Sequence, residues 1–290
     1  MKRRNLSLYL LLAPYLVGVI VLIVIPAAIS IGLAFTSYDS LSAPIWVGLD
    51  NFAFISTYKA FQYAARNTIG FIAIAVPLRI GAMLLLALLL RQSRRGVRFV
   101  RLAVYLPTVV PDVAYALLWT WIFNPLWGPV NLLLQLVGLP TPAWIVDRNT
   151  IGWILIVMSG FQIGEGFVVM LAGLQTIPRD YYQSAEIDGA SRWQAFRFVT
   201  LPLLRPWLVL LTFRDIAVGA QNIFTPAFLM MGGSRAYAAW FLPQMIYEEA
   251  FGRFRFGVAS AVMVTWLATA GILLFLSYRI WRGWGYANEL

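Results

Sequence analysis

Six apolar runs, each long enough to cross a bilayer, recur along this chain and leave few other ways for it to fold. A helix needs about 20 mostly apolar residues to span the hydrocarbon core. The runs extend from Leu8 to Phe35, Thr68 to Leu90, Phe99 to Phe123, Ile151 to Leu174, Trp207 to Met230 and Phe256 to Ile280. Of the 290 residues, 61% are hydrophobic and 12% are charged, against roughly 25% charged in an ordinary soluble domain. An apolar excess of that size cannot be hidden in one soluble core, because the surface needs polar cover. Lipid must be the solvent over much of the surface, and the expectation is an all-α membrane protein with six transmembrane helices.

Charge placement orients the spans. Lys2, Arg3 and Arg4 precede the first run, and Arg91, Arg94, Arg95, Arg98 and Arg101 fill the turn between the second and third. Arg179, Arg192, Arg197 and Arg205 lie between the fourth and fifth, and Arg279 and Arg282 follow the sixth. These positions put 14 of the 22 Lys and Arg residues on one side. The positive-inside rule makes that side, and both termini, cytoplasmic. The opposite loops carry Asp39, Asp50, Asp147, Glu248 and Glu249 and are rich in Trp, Pro and Gly.

The net charge of +10 gathers at the ends of apolar runs rather than as a patch on a polar fold, so it argues for a bilayer and against nucleic acid. The absence of Cys excludes disulfides, thiolate metal sites and thiol nucleophiles, and the absence of His removes the commonest metal ligand and general base. The basic N-terminus and the apolar run after it resemble a secretory signal. The run is nearly twice the usual length and no clear small-x-small cleavage site follows, so an uncleaved signal-anchor is expected. Val130 to Val137, between Trp127 and Trp144, reads as a short interfacial helix with the tryptophans as anchors. With no repeat, low-complexity tract or soluble domain, residues 1–290 read as one transmembrane domain of a multi-pass cytoplasmic-membrane protein.

Between the fourth and fifth runs, residues 177–205 are polar and charged. Pro178 suits a first helical turn, where its missing N–H would have been unpaired. Tyr181, Ala185 and Asp188 share a face, and Gly189 is the natural stop because it accepts the left-handed conformation. Ser191 followed by Gln194 matches a capping box, with Trp193 and Phe196 as apolar anchors of a second short helix. Leu201-Pro202 breaks that helix ahead of the fifth run. On composition alone this is an ordinary loop lying on the headgroups.

The order of residues is more specific. Ala185, Ile187, Asp188, Gly189, Ala190, Ser191, Leu201 and Pro202 stand where the coupling loop of permease subunits of binding-protein-dependent ABC sugar importers has them. Val47-Gly-Leu-Asp-Asn-Phe52, Phe123-Asn-Pro125 and Leu171-Ala-Gly-Leu-Gln-Thr-Ile-Pro178 are also similar to segments of this maltose-type carbohydrate uptake family. The chain thus resembles that family over nearly its whole length. It departs from the pattern at Gln183, where the family has Glu, at Ser184 in place of Ala, and in a Gly-rich stretch reduced to Gly232-Gly233-Ser234.

The resemblance implies a type I, MetI-like permease fold that transports a carbohydrate or related polyol and is not itself an enzyme. Its implied partners are a second homologous permease, a dimer of an ATP-binding subunit and an extracytoplasmic solute-binding protein. ATP and Mg2+ would sit on the ATPase, since this chain has no Gly-x-x-x-x-Gly-Lys-Ser/Thr segment. Tyr182, Gln183, Ala185, Glu186, Asp188, Gly189, Ala190, Phe196, Leu201 and Pro202 would couple to that ATPase. A neutral Gln183 can hydrogen-bond but cannot form the ion pair that Glu would.

Charges within spans are expensive and default to functional candidates. Arg79, Asp112, Glu165, Arg214 and Asp215 are such charges. Asp112, Tyr115 and Trp119 share a face of the third run, Gln162 and Glu165 a face of the fourth, and Asp215, Gln221 and Asn222 lie on the fifth. Planar polar groups and aromatic faces are what sugar hydroxyls and rings require, so these residues are the candidate pathway. The competing reading pairs Arg79 or Arg214 with Glu165, Asp112 or Asp215 to fix helix packing, with glycines letting helices approach. An ion-coupled secondary transporter of a small polar solute, working through Glu165 and Asp215, is the alternative function; six spans without an evident inverted repeat argue against it.

Overall fold

The computed structural model describes residues 2–92, 94–147, 150–230 and 240–282, with side chains from Leu11 onward. The reduced Gly232–Ser234 stretch lies outside the described residues. Among these, three helices are long and apolar enough to cross a membrane: Leu11–Leu33, Lys59–Leu89 and Phe256–Arg282. Three bent pairs bring the number to as many as six: Val97–Val109 with Asp112–Ile122, Ile151–Phe161 with Gly164–Thr176, and Arg192–Leu203 with Arg205–Met230.

The third and fourth apolar runs therefore depart from the continuous spans expected of them, whereas the bend of the last pair, at Leu204, lies ahead of the fifth run. The third folds sharply, by 103°, between Val109 and Asp112. Pro107 tightens the chain into a single 3₁₀ turn over Leu106–Val109. Pro111 then forces the residue before it out of the helical region, and Val110 is extended with ψ 128. The fourth run bends by 47° at Gln162 and Ile163. Pro77, by contrast, lies inside the uninterrupted Lys59–Leu89 helix.

Two prolines leave the same local mark. Pro26 and Pro202 each follow a five-residue π-helical turn, Ile20–Val24 and Phe196–Thr200. A proline lacks the N–H its helix needs and its ring crowds the carbonyl four residues back, here that of Leu22 or Phe198. The residue before each proline bonds one position further away: Ile25 donates to the Ile20 carbonyl and Leu201 to that of Phe196.

The chain forms two compact units. The first comprises Met1–Gln62 and Gln244–Ala268. In it a two-residue antiparallel pair, Thr36–Ser37 with Ile45–Trp46, closes the loop after the first helix. Asp39 holds the tip by accepting from the Ser42 N–H, the Ser42 hydroxyl and the Leu41 N–H, which keeps its carboxyl below the ordinary value of 3.8. Buried Asn51 donates to the carbonyls of Ala34 (2.9 Å) and Thr36 (2.8 Å), giving the Val47–Phe52 segment a structural role. Glu249, one of the acids assigned to the outer loops, is fully buried between Arg253 (2.6 Å) and Arg255 (2.5 Å).

The second unit, Tyr63–Pro243 with Thr269–Leu290, contains both candidate sites. Its helices approach closely through glycines: a Cβ on Gly166 would meet the Met83 sulfur at 2.5 Å, and one on Gly173 the Trp207 ring at 2.6 Å. The short helix expected at Val130–Val137 is present as Pro129–Leu136. Asn131 ties it down, donating to the Pro125 and Pro142 carbonyls and accepting from the Trp144 indole at 2.6 Å.

Candidate functional site

The polar segment after the fourth run is assembled from local bonds. Pro178 caps the Arg179–Ile187 helix from just outside it, with ψ 143, one residue earlier than the first-turn position expected. Gly189 has φ +76, a conformation an L side chain resists. There the Gly189 N–H donates to the Glu186 carbonyl (3.1 Å) and the Ala190 N–H to that of Ala185 (2.9 Å). This pair of bonds is the Schellman motif, which satisfies the last carbonyls of a helix.

Ser191 then opens the next helix with the expected capping box. Its backbone N–H donates to Gln194 Oε1 (2.7 Å), and Gln194 N–H donates back to Ser191 Oγ (3.3 Å). Trp193 and Phe196 pack side by side, with ring centroids 5.5 Å apart and planes tilted by 32°. After the π-helical turn the chain bends by 63° into Arg205–Met230, pivoting at Leu204, which is completely buried.

Of the proposed coupling residues, Gln183, Glu186, Asp188 and Gly189 are exposed, and Ala185, Ala190, Phe196, Leu201 and Pro202 are half-buried. Ile187 is 86% exposed, a large apolar side chain at the tip of the turn. Tyr182 faces inward. Its hydroxyl lies 3.0 Å from Thr200 Oγ1, and the Arg91 guanidinium sits over its ring at 4.7 Å. Arg91 thus links the turn between the second and third runs to this segment, a contact that sequence spacing gives no means of finding.

The intramembrane charges form a chain across three helical segments. Arg79 Nε donates to Asp215 Oδ2 at 2.8 Å, and Arg214 bonds both Asp215 Oδ1 (3.4 Å) and Glu165 Oε2. Arg79 and Asp215 are only 8% and 2% exposed, whereas Arg214 and Glu165 reach the surface. Arg79 also donates to the carbonyls of Ser159 (3.2 Å) and Gln162 (3.3 Å). Those carbonyls sit at the break in the fourth run, where helical bonds end, and a cation suits a helix C-terminus. One guanidinium therefore neutralises Asp215 and caps a broken helix.

A small cavity of about 20 Å³, room for roughly one water, is lined by Arg79, Ser159, Gln162, Gly219 and Asn222 among others. The structure thus brings Gln162 and Asn222 together and joins Glu165 to Asp215 through Arg214. Gln221 is exposed beside Asn222. The Asp112 face is divided. Asp112 is exposed at the start of its helix. Tyr115 is buried and donates to the Met158 carbonyl at 2.8 Å, and Trp119 is buried with its ring stacked on Phe123 at 5.6 Å.

Comparison with known proteins agrees with this architecture. Residues 81–282 match the family described as "Binding-protein-dependent transport system inner membrane component". The chain is 33% identical to the probable ABC transporter permease protein YesP of Bacillus subtilis, over 98% of this chain and 93% of that protein. It is 27% identical to the trehalose/maltose transport system permease protein MalF of Thermococcus litoralis, over 91% of this chain and 90% of that one. Its fold matches a subunit in the crystal structure of a bacterial ABC transporter involved in import of the acidic polysaccharide alginate. That match has a TM-score of 0.85 at 23% identity, and covers 99% and 98% of the two chains. A helical MetI-like fold, a profile match over most of the chain and a full-length relative lead to one conclusion: the chain belongs to the inner-membrane permease family of binding-protein-dependent ABC transporters, and is a transport component rather than an enzyme.

Proposed function

We propose that this chain is one half of the translocation path of an ATP-driven carbohydrate importer, and that residues 177–205 are where an ATPase subunit drives it. The observation that carries this reading is the geometry of 178–204: a short helix, a left-handed glycine turn presenting Ile187, and a capped second helix bending directly into a span. Such a rigid knob transmits force where a loose loop would absorb it. Gln183 and Glu186 are exposed on it, so Gln183 offers hydrogen bonds where the family pattern has a charge.

In this reading the chain is a single transmembrane domain with six spans, each bent pair counting as one, and with both termini cytoplasmic. Its partners are a second homologous permease, a pair of ATP-binding subunits holding ATP and Mg2+, and an extracytoplasmic solute-binding protein. The carbohydrate assignment draws on relatives described as handling trehalose, maltose and alginate. Gln162, Asn222 and Gln221, with the exposed Glu165, would face the solute. Asp112, Tyr115 and Trp119 would border the path, and Asp215 would act through Arg79 and Arg214. The ion-coupled alternative is disfavoured, because Asp215 is already neutralised by a buried arginine.

The test is uptake of radiolabelled maltose and trehalose, with the matching binding protein supplied. Depleting ATP abolishes uptake while a proton or sodium ionophore leaves it intact. Uptake that follows the ion gradient at constant ATP contradicts the proposal.

A further inference from the structure

The charges within the apolar runs are two arginines, Arg79 and Arg214, against three carboxylates, Asp112, Glu165 and Asp215. Arg79 holds Asp215 at 2.8 Å and both are buried, so that pair is settled inside the packing. Arg214 is placed differently. Asp215 reaches it only with its second oxygen, at 3.4 Å, and its charge is already shared with Arg79. The carboxylate that matches Arg214 is therefore Glu165, which accepts from its Nη2.

This outer pair is open, with 37% of the Arg214 side chain and 57% of the Glu165 side chain uncovered. Charges in a span face a bundle interior or a watery cavity and not hydrocarbon, because lipid cannot solvate them. Gln221 stands seven residues after Arg214, two turns along the same helix, and is exposed on the same side. The other polar candidates near the pair, Gln162 and Asn222, are amides and carry no charge. Asp112 is exposed and forms no ion pair among the described residues. Among those residues, then, the candidate path has no cation without a carboxylate, and one carboxylate to spare.

We propose that Glu165 sets the charge selectivity of the path: by occupying Arg214 it passes uncharged sugars and turns away acidic ones. The inference deepens the carbohydrate reading above and rests on Glu165 facing the solute. An anionic solute has to take Arg214 from Glu165 and then sit beside the carboxylate it displaced. Juxtaposed like charges are a means by which a site rejects a wrong ligand. A neutral hydroxyl instead donates to a free lone pair of Glu165 while the ion pair stays intact. The second permease is the competing occupant of this face.

The test uses the assembled permease–ATPase complex in nanodiscs, without binding protein, and reads dissociation constants for maltotriose and trigalacturonate by saturation-transfer NMR. Wild type binds trigalacturonate more weakly than maltotriose. Glu165→Gln, which keeps the shape but frees the Arg214 charge, tightens trigalacturonate binding about tenfold, as one charge-assisted hydrogen bond would. That gain fades as salt is raised. Glu165→Gln with Arg214→Gln does not show it.

Trigalacturonate binding that is unchanged or weaker in Glu165→Gln overturns the proposal, and so does a gain that persists in the double variant. A Glu165→Gln complex whose two permeases separate also overturns it, since the pair would then be a subunit contact. Wild type that fails to bind maltotriose defeats the carbohydrate reading instead, because the acidic gain is scored in the variant.

Discussion

Between Pro178 and Leu204 the chain closes its turns with neighbours: Ala190 on Ala185, Gly189 on Glu186, Ser191 and Gln194 on each other. Inside the spans the reverse holds. Arg79 finds Asp215 at a separation of 136 residues, and the Ser159 carbonyl at 80. The first region is specified by short-range chemistry and stands exposed. The second is specified by the packed fold and is largely hidden. In the proposed reading, a part that meets another subunit keeps its shape from its own bonds, whereas a part that holds helices together exists only once they have met.

The sharpest way to break this contrast is to remove one partner of the buried pair. Asp215→Ala leaves the Arg79 charge buried beside only carbonyls, and should cost about 3–5 kcal/mol. That loss reads as a large fall in thermal stability of the detergent-solubilised complex. Arg79→Met with Asp215→Leu should recover much of it, because replacing a buried pair by apolar groups is far cheaper than orphaning one member. Equal instability in the single and double variants would show that Arg79 acts mainly through the Ser159 and Gln162 carbonyls.

Next in size is Gly173→Ala. Its new methyl would lie 2.6 Å from the Trp207 ring, and overpacking of this kind costs about 1–3 kcal/mol. The same thermal assay should register a smaller shift than for Asp215→Ala, with coupling to ATP retained.

The two regions were also unequally legible in the sequence. Ser191 with Gln194, and Gly189 as a stop, are patterns whose meaning is contained in a few adjacent residues, and the structure has both. Pro107 and Pro111 are plain in the sequence, but a proline only removes a bond. The 103° fold it permits depends on what the freed ends then pack against. Arg79, Arg214, Glu165 and Asp215 were recognisable as costly charges with possible partners among themselves. Nothing in their spacing said that Arg79 would also cap the break at Gln162, because the break and the arginine belong to different helices. The burial of Glu249 was illegible for the same reason: its arginines, Arg253 and Arg255, are close in sequence, but the burial that makes it matter comes from packing.

A smaller effect tests the local half of the contrast. Ser191→Ala removes one side of the capping box and should cost about 1 kcal/mol. Confined to the second short helix, it should appear as faster amide exchange at Gln194 with little change in overall stability. A global loss of stability would mean that this helix is held by the fold and not by its cap.

The central claim, that residues 177–205 form a rigid lever moved by an ATPase, is tested most directly by the ratio of solute transported to ATP hydrolysed at Gly189. The measurement compares wild type, Gly189→Asn and Gly189→Val in proteoliposomes containing the assembled importer. Asn tolerates the left-handed conformation and Val does not, and the strain in Val is on the order of 1–3 kcal/mol. Asn should keep the wild-type ratio, while Val should lower it by about tenfold with hydrolysis continuing. A wild-type ratio in Gly189→Val, with the complex intact, would contradict the account.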